Sequence, residues 1–92
     1  MTMGHERHHK VDLCGLDQLA IGGGGRVVSV AGDVELRRRL LEMGFCNGAE
    51  VTVVRRAPLG DPIEFLLRGY HLSLRAEQAR HVKVQPTQED QG

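Results

Sequence analysis

Ninety-two residues with 40% apolar and 26% charged content make one small folded domain rather than a disordered chain. Twelve basic and twelve acidic residues cancel, which removes the cationic excess that phosphate binding demands and argues against a nucleic-acid partner. The three aromatics, Phe45, Phe65 and Tyr70, are too few for base-stacking platforms or proline-peptide grooves.

Residues 1–10 are polar and histidine-rich, and read as a flexible tail without the apolar core of a secretion signal. No segment approaches the roughly 20 apolar residues of a membrane-spanning helix. Cys14 and Cys46, without a signal segment, fit a reducing compartment. A soluble cytoplasmic protein with no direct membrane insertion is expected. The domain is placed at residues 11–85, with a second flexible tail at 86–92.

Within 11–21, Leu13, Leu16, Leu19 and Ile21 recur at near-helical spacing and predict a short turn or helix lidding the core. Four glycines at 22–25 read as a flexible link or turn. Residues 26–30, Arg-Val-Val-Ser-Val, form the first clear strand. Asp33 is an N-cap for a helix over 34–43, with Leu36, Leu40 and Met43 as its apolar stripe and Leu41 widening it. Glu35 with Arg39 and Arg38 with Glu42 are set for i,i+4 pairing. Gly44 suits a left-handed helix end.

Asn47-Gly48 is a turn signal, followed by a valine-rich strand at 50–56. Pro58, Gly60, Asp61 and Pro62 make a compact turn, and Ile63, Phe65 and Leu67 alternate on the next strand. Arg68-Gly69 turns the chain again into 70–74. A single helical turn at 75–80 precedes the final strand at 81–84, with Val82 and Val84 inward. The pattern is mainly β: about five short strands, one α-helix after the first main strand and a helical turn before the last. Such a set closes into a small barrel, which removes exposed sheet edges.

The chemistry-bearing residues are sparse. His5, His8 and His9, with Cys14, Cys46, His71 and His81 further along, supply the imidazole and thiolate that zinc or ferrous iron prefers. They lack the paired spacing of a structural zinc site, so any Zn2+ or Fe2+ binding reads as adventitious or regulatory and no cofactor is required. No nucleophile motif surrounds either cysteine, and the glycine run lacks the lysine and Ser/Thr of a phosphate loop. An enzyme is not expected. Arg37, Arg38 and Leu41 on the helix, and Leu59 and Asp61 in the proline turn, are the candidates for partner contact. Arginine is enriched at interfaces, and prolines preorganise a turn.

From residue 25 to residue 84 the chain resembles the FeoA family. The resemblance is carried by Leu36-Arg37-Arg38-Arg39-Leu40 with Met43-Gly44, by Gly48, and by Ala57-Pro58-Leu59-Gly60-Asp61-Pro62. Arg68-Gly69-Tyr70 and Leu72-Ser73-Leu74-Arg75 complete it, six pieces in order. The glycine run and the histidine-rich start depart from the family pattern. The resemblance implies an SH3-like barrel that acts as a cytoplasmic accessory of FeoB, the membrane GTPase importing ferrous iron, and modulates its activity or assembly. The alternative is a metal-responsive or metal-binding SH3-like module, related to the C-terminal domain of iron-dependent repressors. No adjacent pair of helices precedes the barrel to read DNA. A homodimer pairing through the helix edge is a further alternative.

Overall fold

The computed structural model describes residues 12–87. Six strands form one antiparallel sheet in the order β1-β6-β2-β3-β4-β5. They are β1 (Cys14–Gly15), β2 (Gly24–Val30), β3 (Glu50–Arg56), β4 (Ile63–Leu67), β5 (Tyr70–Leu74) and β6 (Val82–Pro86), with helices α1 (Val34–Met43) and α2 (Ala76–Ala79). Strand β6 is the last in sequence yet lies inside the sheet, between β1 and β2.

Alternation buries one side of each central strand. Val27, Val51, Val53, Ile63, Phe65, Leu67, Val82 and Val84 point inward, and Leu40 of α1 together with Phe45 joins them. Each such side chain is worth about 1.5–3 kcal/mol of burial. Register shifts between Val27 and Ser29, and between Val53 and Arg55, bend β2 and β3 and coil the sheet around this core.

Helix α1 occupies the expected residues for the expected reasons. The Asp33 carboxylate accepts from the Leu36 N–H at 2.8 Å, and Gly44 ends the helix at φ 112°. Leu36 and Met43 pack against the core beside Leu40. The Glu35–Arg39 and Arg38–Glu42 pairs, however, are absent from the ion pairs of the described residues, which are Arg26–Glu50, Arg55–Glu64 and His71–Glu64. Exposed long side chains gain little from such pairing and lose rotamer freedom.

Three expectations are corrected. The short turn expected within 11–21 is present as the 3-10 turn Leu16–Gln18, but it is confined to three residues and is preceded by a short edge strand, β1, that was not expected. Leu16 and Leu19 enter the core, while Leu13 and Ile21 stay exposed. The glycine run is not simply a link, because Gly24 and Gly25 lie in β2. A Cβ on Gly25 would stand 3.0 Å from the Gln85 carbonyl oxygen and 3.3 Å from Val84 Cβ, so a side chain there would push β6 back by a few tenths of an ångström. Finally, the last strand, expected at 81–84, runs as β6 from Val82 through Pro86.

Candidate functional site

The hairpin turn at 57–62 is held by its own backbone: the Ala57 N–H donates to the Pro62 carbonyl at 3.0 Å, and the Gly60 N–H to Ala57 at 2.7 Å. Leu59 stands at its tip, 95% exposed. Asp61 turns the other way, its Oδ1 accepting from the Ala76 N–H at 2.8 Å at the start of α2. The neighbouring Arg75 N–H donates to Gln78 Oε1 at 3.1 Å, so both free amides find acceptors. A shallow cleft of about 320 Å³ beside the turn is lined by Arg56, Pro58, Pro62 and Glu64.

Around that turn the charged groups are committed internally. Arg56 Nη2 donates to the carbonyls of Asp17 at 2.8 Å and Leu19 at 3.1 Å, tying the 3-10 segment to the hairpin. Arg55 Nε donates to Glu64 Oε1 at 2.8 Å, and His71 Nδ1 lies 3.0 Å from Glu64 Oε2. The Arg55 hydrogen bond leads in holding the Glu64 carboxyl below the usual carboxylate range, and His71 adds to it.

The second surface is the outward side of α1. Arg37, Arg38 and Arg39 are exposed, and Arg37 Nε approaches the Val30 carbonyl at 3.3 Å. Leu41 is 38% exposed, and Val34, which the sequence reading passed over, is 83% exposed. The signal for Val34 was available: it stands seven residues before Leu41 and four before Arg38, on the stripe opposite Leu36, Leu40 and Met43. The far end of α1 is fixed by the Tyr70 hydroxyl, which donates to the Met43 carbonyl at 2.7 Å.

The five candidate contact residues therefore fall into two groups. A Cβ on Gly44, just past α1, would lie 3.2 Å from Leu67 Cδ2 and from the Tyr70 hydroxyl. That places the end of α1 at the finish of β4, whereas the 57–62 turn precedes its start, roughly 15 Å away along the strand.

The candidate metal ligands do not converge. His5, His8 and His9 lie outside the described residues. Cys14 and Cys46 are both free thiols, with Cys46 Sγ 3.8 Å from Arg68 Nη1. Burial, and then the charge of Asp17, push the Cys14 thiol up against the opposing pull of Lys83, which favours the protonated form over a ligating thiolate. His71 is engaged with Glu64, while His81 lines a cleft with Leu36 and Glu77. Among the described residues no three His, Cys, Asp or Glu side chains group to hold a metal, and no helix is long and apolar enough to cross a membrane.

Comparison with known proteins adds to this geometry. Residues 14–86 match the FeoA domain family. Over 70 residues the chain is 41% identical to the Fe(2+) transport protein A/Fe(2+) transporter FeoB fusion protein of Porphyromonas gingivalis, covering 76% of this chain and 8% of that protein. An NMR structure of a FeoA-like protein from Clostridium acetobutylicum superposes with a TM-score of 0.81 at 32% identity, covering 90% of this chain and 96% of that one. The zinc complex of Stenotrophomonas maltophilia FeoA, a prokaryotic SH3 domain protein, gives a TM-score of 0.70 at 28% identity, covering 83% and 98%. The sheet described above is thus SH3-like, although β1 and β5 remain as its two edges. A manganese-dependent transcriptional repressor shares the fold alone, at 16% identity and a TM-score of 0.75, over 85% of this chain and 44% of that one.

Proposed function

This chain belongs to the FeoA domain family, and from that membership we propose that it is a cytoplasmic accessory protein of ferrous iron uptake. It docks on the cytoplasmic part of a FeoB-type transporter and modulates that partner's activity or assembly, without chemistry of its own. The observation that carries this reading is the Porphyromonas gingivalis relative, in which a segment 41% identical to this chain shares one polypeptide with a FeoB transporter. Two parts joined in one chain are held at high effective concentration. Where such a domain is not joined to the transporter, a surface must supply the same association.

The geometry supports a binding role. Two outward-facing apolar sites, Leu59 and the Val34–Leu41 side of α1, sit on backbone fixed by internal hydrogen bonds, so little ordering entropy is lost on contact. The test is calorimetric titration of the chain into the purified cytoplasmic GTPase domain of the cognate transporter, with GTP hydrolysis followed in parallel. Saturable binding, with altered hydrolysis or altered transporter oligomerisation, is expected. Absence of binding with and without nucleotide overturns the reading.

The metal-responsive alternative is favoured by the zinc held by the Stenotrophomonas maltophilia relative. In this chain it would rest on His5, His8 and His9. Zinc titration of the full chain and of a triple His→Ala variant separates the two: affinity equal in both removes the histidines from the account.

A further inference from the structure

Resting on the docking reading above, we propose that the contact surface is the stripe Val34–Arg37–Arg38–Leu41 on α1, and that it takes an acidic protein surface built around an apolar ridge. These four positions follow i, i+3, i+4 and i+7 spacing, so their side chains line one side of the helix, opposite Leu36, Leu40 and Met43 in the core. Val34 and Leu41 are both exposed apolar side chains, and the two arginines stand between them. The helix's carboxylates, Glu35 and Glu42, fall on the neighbouring flank together with Arg39. A chain of zero formal charge thus sets two cations and no anion along this stripe.

The uncommitted charge distinguishes this surface from the hairpin tip. Around Leu59, Arg55 is bound to Glu64, Arg56 to the carbonyls of Asp17 and Leu19, and Asp61 to the Ala76 amide. At that tip each of these charged groups is already held in place by internal partners, Arg56 by two carbonyls at 2.8 and 3.1 Å. On α1, by contrast, Arg38 has no hydrogen-bond or ion-pair partner among the described residues, and Arg37 meets only a carbonyl at 3.3 Å. Guanidinium groups free of internal carboxylates select carboxylates on the partner, and the fork geometry fixes register as well as sign.

A membrane surface would also attract cations, but the stripe fits it poorly. A helix lying in lipid needs a broad apolar face, commonly with Trp or Phe at its edge. Here two aliphatic side chains are exposed on a ten-residue helix, and Glu35 and Glu42 flank them. The helix is also fixed at both ends, by Asp33 and by Gly44 with Tyr70, so the arginines are presented on a frame that needs no further folding.

The experiment is an NMR titration of the full 15N-labelled chain with the purified cytoplasmic GTPase domain of the cognate FeoB-type transporter. Amide shifts centred on 33–43, weakening of binding between low and high salt, and about a tenfold or greater loss of affinity in Arg37→Glu/Arg38→Glu are expected. Arg37→Gln/Arg38→Gln should lose a smaller factor, and both variants should keep the wild-type unfolding midpoint. If binding occurs with shifts at 57–62 while 33–43 stays still, the docking reading stands and this surface is wrong. Absence of shifts anywhere at saturating partner overturns the docking reading itself. Shifts at 33–43 produced by phosphatidylglycerol vesicles and not by the GTPase domain overturn the choice of a protein partner.

Discussion

Asp33 and Asp61 both cap the start of a helix through a carboxylate, yet only one announces itself in the sequence. Asp33 accepts from an amide three residues on, so its role is local and readable from an aspartate followed by an apolar period. Asp61 accepts from an amide fifteen residues on, across the β4–β5 hairpin, and reads as a turn residue until the fold brings Ala76 to it. Replacing Asp33 with Ala should cost about 1 kcal/mol, read as a lowered midpoint in urea unfolding with an unchanged slope. Glu64 belongs to the same class of distant partnership, bridging Arg55 on β3 and His71 on β5. Its folded carboxyl is held low, chiefly by the Arg55 hydrogen bond. A depressed acid contributes stability above its unfolded value, about 4.3, and loses it as pH falls through the folded value. The stability curves of wild type and Glu64→Gln should therefore lie apart near neutrality and converge in acid. Parallel curves across that range would remove Glu64 as the cause.

Helix α1 and strands β4 and β5 were legible because each owes its form to a period within its own residues. The glycine run was not. Its requirement arises where β2 lies between β3 and β6, a juxtaposition formed by segments far apart in the chain. Gly25→Ala tests that account, since two effects of opposite sign compete. Alanine in a strand recovers about 0.5–1 kcal/mol of backbone entropy relative to glycine. Against this, a methyl 3.0 Å from the Gln85 carbonyl and 3.3 Å from Val84 Cβ forces ladder backbone to move, an overpacking cost of about 1–3 kcal/mol. Net destabilisation is expected in thermal unfolding, and a raised midpoint would show that β6 yields to the methyl and that position 25 does not require glycine. Strand β1 was missed for a related reason. Two residues carry no period, and Cys14–Gly15 becomes a strand only because β6 offers Val84 and Lys83 as partners.

For the whole molecule, the sequence resemblance supplied the family and the SH3-like architecture, whereas the placing of surfaces needed coordinates. Nothing in the order of residues shows that α1 and the 57–62 turn lie toward opposite ends of β4, nor that Arg55, Arg56 and Asp61 are already engaged. Leu59→Ala removes a side chain that is 95% exposed, so its unfolding free energy should stay within about 0.5 kcal/mol of wild type. On the α1 reading its affinity for the transporter domain should also hold, and a large loss measured by calorimetry would return the hairpin tip to the contact surface.

The position of β6 bears on how the protein is made. Translation delivers β2 through β5 first, as a meander whose β2 edge waits unpaired with Val27 beside it, while the strand that pairs with that edge is still being synthesised. The sheet closes through a contact spanning almost the whole domain, which slows folding relative to a structure of local contacts. Ribosome-bound chains are therefore expected to stay protease-sensitive until residue 86 has cleared the exit tunnel, and then to become protected in one step.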